Sequence, residues 1–191
     1  MPIPILERYF YPSISYLVPG FTGTDKVYWW DEGIEDAKLM NWETVSKLSR
    51  SPIVDFGCHT LNHYDMTKLS IYRLKYEAVM SKRTLEEKLG REIRHFSYPR
   101  GIYSKDGERV IRNLYQTGVL ISNGKRVTNR CRPGDEYKLR RIPMLRSDDR
   151  VLFAARLKGW LVAEEFTRRF VNSIRFNFIY KYLKKLDKGQ K

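Results

Sequence analysis

"DFGCHTLNHYDMTKLS", residues 55–70, follows a short apolar run and carries two of the chain's three histidines, His59 and His63. Neutral imidazole is a good ligand for zinc, and rings four positions apart can point the same way from a helical turn. A catalytic metal takes about three protein ligands and keeps one place open for water. The pair therefore reads either as part of a metal site or as two surface histidines on a turn. Cys58 is adjacent, but if the strand before it continues, its side chain faces away from that of His59, which suits a small buried thiol better than a third ligand.

Around this stretch, strand and helix patterns alternate. "SISYLVPGF" (13–21) runs apolar into Pro19-Gly20, a strand entering a loop. "NWETVSKLSR" (41–50) places Asn41 as an N-cap before Trp42, Val45 and Leu48 at helical spacing. "SPIVDFG" (51–57) reads as the next strand, and the spacing of Leu74, Ala78, Leu85 and Leu89 predicts a helix over 67–89 closed by Gly90. "IRHFSYP" (93–99) reads as a strand ending at proline. "SKDGERVIRNLYQTG" (104–118) reads as a helix closed by Gly118, "VLIS" (119–122) as a strand and "YKLRRIPML" (137–145) as the last one. This alternation over 13–145 predicts an α/β fold with mostly parallel strands, whose chemistry sits in loops at the strands' carboxyl ends. "GCHTLNH", "SYPRG" and "PGFTG" all fall there.

Composition narrows the partners. The chain has 191 residues, 36 basic against 22 acidic, a formal charge of +14 that favours nucleic acid, an acidic membrane face or an acidic polymer. No nucleic-acid motif accompanies the charge, so that class is the least expected. Residues 151–191 hold ten Lys/Arg and three acids, a balance of +7, which sets a basic tail apart from a domain at 1–150. In the tail, Val162, Phe166, Phe170, Ile174, Phe178, Tyr182 and Leu186 recur every four residues. Such an amphipathic helix over 162–188 either packs on the domain or lies on an anionic membrane. No run of 18 apolar residues and no secretory leader is recognisable, and Cys58 and Cys131 form no disulfide framework. The expected setting is the cytoplasm or the inner membrane face, with secretion as the alternative if the true start lies upstream.

"VDFGCHTLNHYDMTKLS" resembles the second motif of the polysaccharide deacetylase family (the NodB-homology domain, carbohydrate esterase family 4), Gly-Ser-His-Thr-x-x-His. Gly57, His59, Thr60 and His63 match, and Cys58 replaces the serine. "HFSYPRG" resembles the third motif, Phe-x-Tyr-Pro-Tyr-Gly, through Phe96, Tyr98, Pro99 and Gly101, and the similarity extends over about residues 3–146. The resemblance implies a distorted (β/α) barrel that removes acetyl groups from a polysaccharide or lipid-linked glycan. It further implies a divalent metal, expected to be zinc, on His59 and His63, with water polarised for attack on the acetyl carbonyl. By the same resemblance the backbone N–H of Arg100 donates to the oxyanion, while Tyr98, Pro99 and Gly101 shape the groove.

The family's first motif, Thr-Phe-Asp-Asp-Gly, supplies a metal-binding aspartate and a general base, and belongs before "PILERYFYPSISYLVPG". The chain opens at Met1-Pro2, past that place, and neither "WDEG" (30–33) nor "SDDR" (147–150) stands in the required order. Three consequences are expected: weaker metal binding, loss of a rate factor of about 10²–10⁴ from the base, and a first barrel strand absent. The alternatives are a reading frame that starts earlier, a truncated gene, or a non-catalytic relative that binds an acidic glycan or membrane. The family's late histidine, a general acid, has no counterpart. His95 stands at a variable position of the third motif and reads as a half-buried strand residue, and Arg140 and Arg141 read as flanking a strand.

Overall fold

The computed structural model describes residues 3–28, 32–33, 38–121, 129, 132–144 and 148–158. The chain divides into two compact units, Met1–Ile121 with Arg130–Leu139, and Ser122–Asn129 with Arg140–Lys191.

In the first unit, strands β1 (Ser13–Leu17), β2 (Val54–Cys58), β3 (His95–Ser97) and β4 (Thr117–Ile121) lie side by side in chain order, each parallel to the next. Register runs Ser13 to Val54 and Leu17 to Cys58, then Cys58 to Phe96, then His95 to Thr117. The sheet order continues to β5 (Leu139–Arg141). The fold is α/β with a parallel sheet, as the alternation of patterns predicts. Parallel neighbours need crossovers, and here helices α2 (Trp42–Leu48), α3 (Ile71–Leu89) and α4 (Lys105–Arg112) provide them. A short helix α1 (Ile3–Arg8), which no sequence pattern announces, precedes β1.

Local chemistry sets the element ends. Asn41 caps α2, its Oδ1 accepting from Thr44 N at 2.8 Å, and Gly90 closes α3 in the left-handed conformation. Several boundaries differ from the sequence reading. Helix α3 begins at Ile71, not Thr67, because Ser70 caps it while Met66–Lys68 forms a separate tight turn capped by Asp65. Helix α4 ends at Arg112, and Gly118 lies inside β4 rather than closing the helix; a side chain there would come 2.8 Å from Tyr137 O. Strand β2 also runs one residue beyond Gly57, to Cys58.

The core lies between the sheet and the helices. Leu74, Ala78 and Leu85 of α3 are buried with Phe56, Phe96, Tyr98, Ile111 and Tyr115. Phe96 stands edge-on to Tyr98 at 5.4 Å and packs against Tyr115 at 5.1 Å, geometries that aromatic rings prefer. A buried carboxylate, Glu108, pins the 132–139 segment. It accepts from Arg112 Nη2 at 2.6 Å and Lys138 Nζ at 2.9 Å, and Arg112 Nη2 reaches Gly134 O at 2.5 Å.

In the second unit, Asn129 pairs its side-chain amide with both backbone groups of Arg140, at 2.7 and 3.1 Å. Helix α5 (Arg150–Leu157) is tied back by Arg156, which forks onto Asp148 at 2.6 and 3.0 Å. Asp148 of "SDDR" thus serves an ion pair. The amphipathic pattern over 162–188 and Cys131 lie outside the described residues.

Two glycines of the first unit separate steric from conformational need. A Cβ at Gly57 would come 2.6 Å from the Tyr16 ring and 2.8 Å from His95 O, whereas one at Gly90 (φ 64°) meets nothing within 4 Å. Gly57→Ala is expected to cost about 1–3 kcal/mol by overpacking. Gly90→Ala should cost about 1 kcal/mol from left-handed strain alone. Urea unfolding of the two variants checks the order.

Candidate active site

All residues of the site belong to the first unit. Strand β2 delivers the chain to its carboxyl end at Cys58, and the next five residues turn back over the sheet. Each is anchored. His59 N donates to Leu17 O at 2.9 Å, joining the turn to the end of β1. His63 N donates to Thr60 Oγ1 at 2.9 Å, and Gly20 N donates to Leu61 O at 2.9 Å. Asn62 donates from its backbone and its side chain to Glu77 Oε2 and Oε1, at 2.9 and 3.0 Å.

The turn is not helical, contrary to the expectation from four-residue spacing. Thr60 and His63 both adopt left-handed backbone, with φ of 63° and 58°. Non-glycine residues occupy this region rarely, and doubly so for a β-branched one, so the anchors must hold them there. The outcome is the one a helix would have given: the His59 and His63 rings meet at 4.8 Å between centroids, inclined at 61°.

Each ring is held from outside the pair. His59 Nδ1 lies 2.6 Å from Ser97 O at the end of β3; a carbonyl only accepts, so Nδ1 carries the proton and Nε2 the lone pair. His63 packs edge-on against Tyr28 at 4.9 Å. Burial, then the nearby Arg100 charge, lower the His63 pKa, which favours the neutral, ligating form. Among the described residues, no group of three or more His, Cys, Asp or Glu side chains is assembled to hold a metal. The two imidazoles fit two of the ligand positions a catalytic cation needs, and nothing in the described residues supplies a third.

The second predicted segment closes the other side. After β3 the chain makes a tight turn at Pro99–Gly101, with Gly101 N donating to Tyr98 O at 2.9 Å and Ile102 N to Pro99 O at 3.1 Å. Arg100 sits exposed on its crest with φ 56°. Gly101 is required there, since a Cβ would come 2.6 Å from Ile121 N and its φ is 65°. Tyr98 and Pro99 are fully buried, so their side chains support this rim from beneath rather than line it. Burial and the neighbouring Glu108 raise the Tyr98 pKa, keeping the phenol neutral.

His95 lies at the opposite ends of the strands. Its ring bridges Thr117 Oγ1 at 2.8 Å and Asp55 at 3.6 Å, and Arg91 joins Asp55 at 3.0 Å. It is a half-buried strand residue, as its sequence position suggests. Arg140 and Arg141 fall in the second unit. Two contributors escaped the sequence reading. Tyr28 gives no signal, being one aromatic in a run of several. Glu77 does give one, because a charged residue between Leu74 and Ala78 interrupts the buried stripe of α3.

A sequence model of the polysaccharide deacetylase family matches residues 3–119. The chain belongs to the polysaccharide deacetylase family. No curated protein matches the sequence. Among solved structures, it is similar to a polysaccharide deacetylase from Bacillus cereus (18% identity, TM-score 0.61), covering 76% of this chain and 42% of that one. It is also similar to a Streptococcus pyogenes deacetylase in complex with acetate (22%, 0.60), covering 79% and 61%. A de-N-acetylase from Aggregatibacter actinomycetemcomitans (16%, 0.63) covers 81% and 68%. The chain spans less than two thirds of the first two, and at these identities the likeness is one of fold.

Cys58 is fully buried, and burial pushes its thiol up to about 11, so at pH 8 about one molecule in a thousand carries the thiolate. In a Cys131→Ser background, native protein is expected to resist iodoacetamide at pH 8 and to react promptly once unfolded. Mass spectrometry of the Cys58 peptide checks this.

Proposed function

We propose that the chain acts as a metal-dependent carbohydrate deacetylase on an N-acetylated polysaccharide or lipid-linked glycan, with His59 and His63 holding a divalent cation, zinc being the expected one. The observation that carries this reading is the pair of facing imidazoles 4.8 Å apart within a chain whose residues 3–119 match the deacetylase family. A bound divalent cation supplies Lewis acidity, which favours hydroxide formation from water and offsets negative charge on an acyl oxygen.

The protein's own residues have separate tasks. Ser97 holds the Nδ1 proton of His59, which makes Nε2 the ligating nitrogen. Burial keeps His63 neutral, as a ligand must be. Arg100 would donate its backbone N–H to the acetyl oxygen as charge develops there, with Tyr98, Pro99 and Gly101 bracing it. In the reaction the water oxygen bonds to the acyl carbon, the carbon–nitrogen bond breaks, acetate leaves and the amine nitrogen takes a proton. No described residue is assigned as general base, and a rate lower by about 10²–10⁴ than with a positioned base is expected.

Calorimetric zinc titration should give one site in the wild type and a loss of more than about tenfold in affinity in His59→Ala and His63→Ala. Acetate release from N-acetylglucosamine oligomers should require added metal and vanish in both variants. Equal zinc binding by all three proteins would sink the metal assignment. Oligomer binding without acetate release would turn the reading toward a binding-only relative.

A further inference from the structure

Glu77 has no exposed surface, yet it stands in the apolar stripe that α3 turns toward the core, one residue before Ala78. Burying a carboxylate is costly, and a well-packed apolar side chain of similar size is often the more stable choice. Both oxygens of Glu77 accept from one residue, Asn62, at 2.9 and 3.0 Å. Asn62 immediately precedes His63 in a turn whose backbone is left-handed at Thr60 and again at His63. Its other neighbour, Leu61, is already fixed through its carbonyl to Gly20 N.

From these contacts we infer that Glu77 is a positioning residue, a buried strut that sets the separation and inclination of the His59 and His63 rings by clamping Asn62. Among the described residues its ion-pair partner is Arg73, Nη2 at 3.2 Å, which fits the role. Its guanidinium lies over Tyr64 at 5.6 Å and Tyr76 at 5.1 Å, so the strut is braced to the residue after His63 as well as to the one before. A glutamine cannot replace Glu77 fully. It offers one acceptor oxygen where Asn62 presents two donors, and its own N–H₂ would oppose one of them. The purpose given to the rings rests on the deacetylase reading; their geometry does not.

The test uses the full chain. In metal-free protein, the nuclear Overhauser contact between the His59 and His63 ring protons reports the pair directly, and cobalt titration reports its capacity to ligate. Glu77→Gln is expected to weaken the ring contact at least threefold and cobalt affinity by about tenfold or more. Glu108→Gln, which removes a buried carboxylate from a different network, should leave the ring contact unchanged. A folded Glu77→Gln with wild-type contact and affinity would overturn the inference, as would an equal loss in Glu108→Gln. If Glu77→Gln does not fold, Asn62→Ala carries the test: it breaks one of the two bonds, should weaken the contact partially, and overturns the inference if it does not. Wild type that binds no cobalt, while Glu77→Gln still loses the ring contact, would uphold the strut and remove the metal reading.

Discussion

The bond from His59 Nδ1 to the carbonyl of Ser97, 2.6 Å across the gap between β2 and β3, is the contact on which the site's organisation depends. Parallel strands bring their carboxyl ends to one edge but do not orient the side chains that follow them. Here a backbone group at the end of one strand selects the tautomer and direction of a ring at the end of the next. The chain then needs only to return a second ring to the first. It does so in four residues, through two left-handed positions, against β1, Gly20 and α3 at once.

The electrostatics of that edge work in one direction. Burial and the charge of Arg100 both disfavour protonation of His63, so the ring is poised as a lone-pair donor. Three carboxylates of the unit have other tasks: Asp65 caps a turn, Glu77 takes Asn62 and Arg73, and Glu108 gathers Tyr103, Arg112 and Lys138.

Much of this could be seen in the sequence because it is written in short-range chemistry. Apolar periodicity marks α3, Asn41 and Gly90 mark helix ends, and the Gly-x-His-Thr-x-x-His and Phe-x-Tyr-Pro-x-Gly patterns bring the two segments to one place. Boundaries set by competing caps were less visible: Ser70 against Asp65 at the start of α3, and Gly118 drawn into β4 by its fit against Tyr137. Long-range placement was hidden almost wholly. Tyr98 is expected in the groove because the third motif of the family it resembles implies that place, yet its neighbours enclose it. The Tyr28 contact with His63 depends on how a long loop folds, which periodicity does not encode. Glu77 was legible in principle, since the cost of a buried charge demands a reason.

The burial of Cys58 at the end of β2 bears on which ions the imidazole pair would suit. The Cys58 side chain lies in the core while His59 is only half-buried, and the thiol, enclosed near Ser81 and Tyr115, stays protonated. Soft, thiophilic ions such as copper(I) or cadmium therefore gain nothing from the cysteine beside His59. On the proposed reading, imidazole nitrogen is the donor an arriving ion would meet among the described residues of this edge, and it suits the borderline ions of the first transition row.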